Sequence, residues 1–178
     1  MNTKANIQKS FMRLYAQKAY ATITIKELCE DVPIARTTFY TYYDNLDELK
    51  TEIEDELILG LKQVTTNISG GDIEQMHFPT FLDAIQEYIQ SHWEQFEIFL
   101  LSQPNFRFID KWKAAIKQNF KKRYPDKVQL PNYDLIAEVL ASTTISAYRY
   151  WMQHPKTVNT TDMKALITKT LETTIAIL

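Results

Sequence analysis

The chain is poor in cysteine, glycine and proline and carries almost no net charge. Its 178 residues include 1 cysteine, 3 glycines and 6 prolines, and the formal net charge is −2. A single cysteine, Cys29, excludes an internal disulfide framework and is typical of a reducing compartment. Scarce glycine and proline argue against a sheet-rich fold, because strands need turn residues at every reversal. Net charge alone does not indicate nucleic-acid binding, so that function has to be read from the placement of residues.

Long apolar runs are also missing. No stretch approaches the roughly 18 apolar residues that span a bilayer, and the N-terminal residues lack the apolar core of a signal peptide. Hydrophobic residues nevertheless make up 45% of the chain, which is typical of a globular protein. We therefore expect a soluble, cytoplasmic protein without a membrane partner.

Local signals predict a series of short helices at the N-terminus. Apolar residues recur at helical spacing over residues 4–19. Thr24 and Glu27 have the spacing of a capping box and predict the start of a second helix. Pro33 ends that helix because proline lacks a backbone donor. A third helix is predicted over about residues 35–42.

Helical patterns continue along the rest of the chain. Asn45 and Glu48 predict the cap of a fourth helix, which runs to about Asn67. The glycine cluster Ser69-Gly70-Gly71-Asp72 is the best break in the chain. The later helices are predicted over residues 78–124 with a break at Pro104, over 133–153, and from a cap at Thr161 or Asp162 onward.

The third predicted helix has an unusual outer face. Phe39 and Tyr43 lie one turn apart and predict a buried side, as they would in any small helical bundle with an aromatic core. However, Tyr40, Tyr42 and Tyr43 cannot all face one core. The other side chains suit the major groove of DNA, and base reading is predicted for Arg36, Thr37, Tyr40 and Thr41. Phosphate contacts are predicted for Thr24, Lys26, Tyr40, Tyr42 and Lys4.

The segment ARTTFYTYYDNLDEL, residues 35–49, resembles the DNA-binding domain of the TetR (TetR/AcrR) family of bacterial transcription regulators. The family pattern falls on Thr38, Phe39, Tyr40, Tyr42 and Tyr43, and the resemblance covers about residues 7–53. Three positions depart from the pattern. Pro33 replaces a glycine of the turn, while Ala35 and Leu46 replace a serine and a lysine that commonly support phosphate contacts.

The resemblance implies an all-α homodimer of about nine helices. An N-terminal three-helix helix-turn-helix domain would occupy residues 1–50 and be linked through the helix at about 46–67. A C-terminal helical domain for effector binding and dimerisation would occupy residues 51–178. Two-fold symmetry would match a palindromic operator in double-stranded DNA.

The C-terminal half carries candidate residues for both of those roles. An aromatic-rich set is the candidate pocket for a small hydrophobic or aromatic effector: Tyr88, Trp93, Phe96, Phe99, Trp112, Tyr148, Trp151 and Met152. The alternative for these residues is ordinary core packing. The candidate dimer interface is Leu140, Thr144, Tyr148, Ile167, Leu171 and Thr174, with packing inside one chain as the alternative.

The sequence therefore favours a ligand-responsive dimeric repressor that binds DNA. The alternative is a protein-interaction module or coactivator of the same fold, because the charges of residues 1–50 nearly cancel. No nucleophile and base pair, phosphate loop or paired acids indicate an enzyme. His77 and His92 lack partners at metal-ligand spacing, so neither a metal nor a cofactor is predicted.

Overall fold

The computed structural model describes residues 2–69 and 77–175, and this part of the chain is helical without strands. The predicted glycine cluster falls largely outside these residues. The α-helices are α1 (Thr3–Gln17), α2 (Ile25–Asp31), α3 (Arg36–Tyr40), α4 (Leu46–Ser69), α5 (Phe78–Ser91), α6 (Trp93–Glu97), α7 (Phe106–Arg123), α8 (Tyr133–Gln153) and α9 (Thr160–Ile175). The predicted all-α fold is confirmed. Within the described ranges, no helix has the length and apolarity that crossing a membrane requires.

Side-chain caps set several helix ends. The Thr24 hydroxyl accepts a hydrogen bond from the Glu27 backbone N–H at 3.2 Å, as the sequence predicts. The Asn45 amide oxygen caps α4 through the Glu48 N–H at 2.9 Å. At α9 the predicted cap at Thr161 or Asp162 is wrong, because Asn159 accepts from both of their backbone N–H groups.

The chain forms two compact units, whose boundary along α4 falls between Leu57 and Ile58. The first unit comprises the residues up to Leu57 together with Glu94–Pro104, and the second comprises Ile58–Trp93 and the residues from Asn105 onward. The segment Glu94–Pro104 joins the first unit through its π-helical turn, Ile98–Ser102. Sequence periodicity could not show this, because the contacts join residues far apart in the chain.

Aromatic side chains build the core of the first unit. Phe11 stacks on Tyr15 at a ring-centroid distance of 5.6 Å, and Tyr15 contacts Phe99 at 6.0 Å. Phe11 and Phe99 are both fully buried. The amide of Gln103 also donates to the backbone oxygen of Lys18, which ties the π-helical segment to the end of α1.

In the second unit, α7 packs against α8 and α8 packs against α9. Trp112 stacks on the fully buried Tyr148 at 5.9 Å. Lys113 and Lys117 both donate to the Glu138 carboxylate at 2.8 Å. These hydrogen bonds lower the pKa of Glu138 to about 2, so the pairs join α7 to α8 at neutral pH.

Gly60 has a packing role within the second unit. A methyl group at this position would lie 2.0 Å from the Tyr88 hydroxyl oxygen and 2.3 Å from the adjacent ring carbon. We expect Gly60→Ala to lower the free energy of unfolding by about 1–3 kcal/mol, because the ring must move and this exceeds the gain in helix propensity. Chemical denaturation of the variant measures the loss.

The double variant Gly60→Ala, Tyr88→Ala provides the control. With the ring removed, alanine at position 60 should stabilise α4 relative to the single variant Tyr88→Ala, by about 1 kcal/mol. Equal destabilisation by Gly60→Ala in both backgrounds would show that the close approach is not what selects glycine.

Candidate functional site

A helix, a tight turn and a second helix make up residues 24–41. Leu28 and Cys29 are buried on the inner face of α2. In the turn, the Ile34 N–H donates a hydrogen bond to the Cys29 backbone oxygen at 3.0 Å. Pro33, which has no backbone donor, lies in this turn at the position where the resembled family has glycine.

Helix α3 has a buried side and an exposed side. Phe39 is fully buried and Tyr43 is 3% exposed, and their ring centroids are 5.8 Å apart. Tyr40 and Tyr42, in contrast, are 53% and 41% exposed. The sequence-predicted readers Arg36, Thr37 and Thr41 are also exposed. The aromatic residues therefore divide between the core and the surface, as the pattern of three tyrosines predicts.

Local hydrogen bonds determine which polar groups this surface offers. The Thr41 hydroxyl donates to the Thr38 backbone oxygen at 2.7 Å, so Thr41 presents its methyl group and an oxygen lone pair. The Thr24 hydroxyl uses a lone pair for its cap, which leaves its proton for an acceptor such as a phosphate oxygen. Lys26 lies 3.8 Å from Glu30 with both side chains about two-thirds exposed, a weak pair that phosphate can replace.

Cations of α1 engage the acids of α2. Asp31 accepts hydrogen bonds from Ser10 and from Arg13, and Glu27 pairs with Lys18. These pairs account for much of the near-zero charge of the N-terminal residues. They engage Arg13 and Lys18 rather than Arg36, whose side chain on α3 is exposed.

Three elements meet at the Glu52 carboxylate. Lys4 donates to it at 2.6 Å and the Tyr43 hydroxyl donates at 2.5 Å. Burial raises the pKa of Tyr43 above its usual value, and the bond to Glu52 raises it further. Burial alone would raise the pKa of Glu52, but the bonds from Lys4 and Tyr43 outweigh it and lower the pKa. Lys4, a predicted phosphate contact, is thus engaged inside the first unit.

We expect Lys4→Met to leave the salt dependence of DNA binding unchanged. Each phosphate contact adds about 0.9 to the slope of log K against log salt concentration, whereas a lysine held by Glu52 adds nothing. Stability should fall by up to about 1 kcal/mol, because both partners are partly exposed. Salt titrations on a duplex selected by the wild-type protein measure the slope.

The exposed Lys9 of α1 supplies the matched control, since Lys9→Met removes the same charge without breaking the pair with Glu52. If the salt slope drops by about 0.9 for Lys4→Met while stability is unchanged, Lys4 contacts a phosphate in the complex.

The second unit contains a cavity of about 190 Å³ between parts of α4, α5, α7, α8 and α9. Its walls are mostly apolar, with six aromatic side chains: Phe78, Phe81, Trp112, Phe120, Tyr124 and Tyr148. The polar contribution includes Thr65 and Asn119, which are hydrogen-bonded to each other at 3.2 Å. Such an aromatic-lined space with few polar groups is typical of a small-molecule site.

Two of the eight predicted pocket residues, Trp112 and Tyr148, line this cavity. The others pack elsewhere. Phe96 and Phe99 are buried in the first unit. Trp93 and Trp151 pack edge to face at 5.3 Å, Met152 is buried, and Tyr88 packs against His92 at 4.3 Å. Helical spacing identified apolar faces but could not show which of them enclose a space.

The predicted dimer residues point into the chain itself. Leu140, Tyr148 and Ile167 are each at most 2% exposed, and Thr144 and Leu171 line the cavity. Thr174 is half-buried. These side chains are packed within one chain, which is the alternative that the sequence left open. The large exposed apolar side chains on α8 and α9 are Leu135, Val139, Tyr150 and Leu166.

No protein-family model matches the chain. Among curated proteins it is similar to an uncharacterized HTH-type transcriptional regulator of Haemophilus influenzae, with 29% identity over 87 residues. The match covers 46% of this chain and 42% of that protein, so it spans less than half of the curated relative's length.

Solved structures match over nearly the whole chain. A TetR transcriptional regulator from Streptococcus agalactiae has a TM-score of 0.71 and 21% identity, covering 94% of this chain and 93% of that one. A transcriptional regulator of Aquifex aeolicus (TerR/AcrR family) has a TM-score of 0.66 and 19% identity, covering 96% and 98%. The dihydroxyacetone kinase operon activator DhaS has a TM-score of 0.58 and 16% identity, covering 98% and 95%.

Proposed function

We propose that this chain, which has the all-α fold of the TetR-type regulators, is a DNA-binding transcriptional regulator acting in the cytoplasm. The observation that carries the proposal is the division of α3 into two sides. Phe39 and Tyr43 fix the helix to the core, while Arg36, Thr37 and Tyr40 remain exposed. A recognition helix in the major groove needs this division.

Each exposed group has a role in the proposal. The Arg36 guanidinium donates two parallel hydrogen bonds to a guanine edge. Thr37 and Thr41 contact bases through a hydroxyl oxygen or through a methyl group against thymine. The half-exposed rings of Tyr40 and Tyr42 donate their hydroxyls to phosphate oxygens, and Tyr40 also reaches a base edge. At the start of α2, Thr24 and Lys26 add phosphate contacts.

We further propose that two copies bind a palindromic operator. On α8, Leu135, Val139 and Tyr150 fall on one exposed stripe together with the small side chains of Thr143 and Ser146. A stripe of apolar and small residues on a helix suits close approach to the same stripe of a second copy. The two recognition helices would then reach half-sites separated by about one helical turn, 34–36 Å.

The regulator is proposed to be a ligand-responsive repressor. An effector in the cavity of the second unit would favour a conformation in which the recognition helices are wrongly spaced for the operator. The shift cannot exceed the difference in the effector's affinity for the two conformations. One structural neighbour, DhaS, is named as an operon activator. Activation of transcription is therefore the outcome that would contradict repression.

Selection of DNA by the purified full chain tests the central proposal. Random duplexes and genomic fragments are incubated with the protein at low salt, and the enriched sequences are footprinted. We expect a two-fold symmetric site bound by a dimer, whose mass is measured by light scattering. Failure to enrich any duplex would reject DNA binding and leave a protein-interaction module as the function to test.

A reporter assay tests the direction of control. The selected site is placed so that it overlaps a promoter, and transcription is measured with and without the protein. Repression lowers the signal when the protein is added. An increase in transcription would show that the chain activates and would contradict this part of the proposal.

A further inference from the structure

The cavity of the second unit has a wall on which most hydroxyl donors are already in use. Four hydroxyl groups donate to backbone oxygens: Thr65 to Leu61 at 3.1 Å, Thr144 to Leu140 at 2.9 Å, Thr168 to Lys164 at 2.9 Å and Tyr148 to Leu82 at 3.5 Å. The protons of these groups are therefore not available to a bound molecule. Most of the wall acts as an apolar surface despite its threonines.

Asn119 is the amide side chain of this wall, and it retains hydrogen-bonding capacity. Its amide donates one N–H to the Thr65 hydroxyl oxygen at 3.2 Å. A primary amide has two N–H donors and a carbonyl acceptor, so one donor and the acceptor remain. The bond to Thr65 fixes the orientation of the amide before any ligand enters. The cavity thus has an oriented neutral amide at which a polar group of a ligand can be recognised.

The charged side chains of the wall are Lys62, Arg123 and Glu172. Lys62 and Glu172 are exposed, while the guanidinium of Arg123 donates from Nε to the Tyr124 hydroxyl at 3.0 Å. The partner that Asn119 itself offers is a neutral amide, which supplies no counter-charge to a ligand group. The cost of burying an unpaired charge there is high. The polar group that Asn119 recognises is therefore uncharged.

Size limits the ligand further. The cavity volume of about 190 Å³ is somewhat larger than the roughly 150 Å³ of an apolar cavity that stays dry and binds benzene. The space therefore suits one or two fused rings, or about ten non-hydrogen atoms. Rings also match the six aromatic side chains, because offset and edge-to-face arrangements add to simple burial.

We propose that the effector is a small uncharged aromatic molecule of one or two rings with a single hydroxyl or similar polar group, which hydrogen-bonds to Asn119. The regulatory role of this ligand rests on the proposed function. The binding itself does not, because it can be measured on the isolated protein without DNA.

Two probes of nearly the same shape test this assignment. Naphthalene supplies the rings, and 2-naphthol adds one hydroxyl group. Calorimetry on the full chain should show that 2-naphthol binds about three- to tenfold more tightly than naphthalene, as expected for one neutral hydrogen bond. The variant Asn119→Leu has nearly the same side-chain volume and should bind both probes equally, with naphthalene affinity retained.

A second pair of variants locates the probes. Ile116 lines the cavity on α7, and Ile116→Trp should fill the space and reduce the affinity for both probes at least tenfold. Ala114 is exposed on the same helix outside the cavity, so Ala114→Trp should leave both affinities unchanged. Equal loss in the two variants would contradict binding in this cavity.

Three results would overturn the proposal. These are binding of neither probe below millimolar concentration, equal binding of both probes to the wild type, and a retained preference for 2-naphthol in Asn119→Leu. If the probes bind as expected but leave the complex with the selected operator unaffected, the cavity is a binding site and the effector role is rejected. A failed DNA selection with successful probe binding would reject the regulatory function alone.

Discussion

Replacement of Arg36 by alanine is expected to weaken binding to the selected operator by roughly 1–3 kcal/mol per half-site. A dimer presents two copies of α3, so the total loss on a palindrome is about twice as large. The loss should concentrate at one base pair of each half-site, because a bidentate pair with guanine discriminates against the other bases. The fold should not change, since the side chain is exposed on α3.

Electrophoretic mobility shifts on the operator and on single-base variants measure this loss. Lys26→Ala is the matched control, because it removes the same charge from the neighbouring helix α2. Its effect should be smaller, uniform across sequences and accompanied by a lower salt slope. Equal effects of the two variants on all duplexes would show that Arg36 contacts phosphate and does not read a base.

Helix α3 could be predicted because its signals are local. The Thr24 cap, the proline turn and the alternation of Phe39 with exposed tyrosines lie within twenty residues and require no knowledge of distant contacts. The same is true of α8, which runs over the predicted residues 133–153. Helix propensity, capping and spacing act over one or two turns, which is the range that a single sequence reports.

The cavity and the outer face of α8 could not be predicted in the same way. A helix buried on most of its surface has apolar residues on several sides, so spacing does not show which side meets a partner. Leu140 and Tyr148 are buried in one chain, although their spacing suits a dimer interface equally well. The signal that could have identified Asn119 is its position beside Phe120 in the otherwise apolar stripe of Trp112 and Ile116.

The association of Glu94–Pro104 with the first unit could not be predicted from spacing either. The aromatic pattern of this segment continues that of its neighbours, and nothing in its spacing distinguishes a partner on α1 from one in the C-terminal bundle. The contacts of Phe99 with Tyr15 and of Gln103 with Lys18 decide the matter. These contacts join positions more than eighty residues apart in the chain.

Truncation of Phe39 should have the largest effect on stability within α3. Phe39→Ala removes a fully buried ring, whose centroid lies 5.5 Å from that of Tyr40 and 5.8 Å from that of Tyr43. We expect the free energy of unfolding of the first unit to fall by about 3–5 kcal/mol, as for other buried phenylalanines. DNA binding should be lost with it, because α3 is held to the core through this side chain.

Two spectroscopic signals distinguish a loss of stability in the first unit from a loss of stability in the whole chain. The 3 tryptophans, Trp93, Trp112 and Trp151, all lie in the second unit, so their fluorescence reports that unit, whereas circular dichroism reports all helices. An early loss of helical signal with the fluorescence transition unchanged is the expected result. Tyr40→Ala, one residue along and 53% exposed, should change stability by less than about 0.5 kcal/mol while weakening operator binding. If Phe39→Ala changed stability as little as Tyr40→Ala, α3 would not depend on this buried ring. The division of α3 into core residues and residues that contact DNA would then be contradicted.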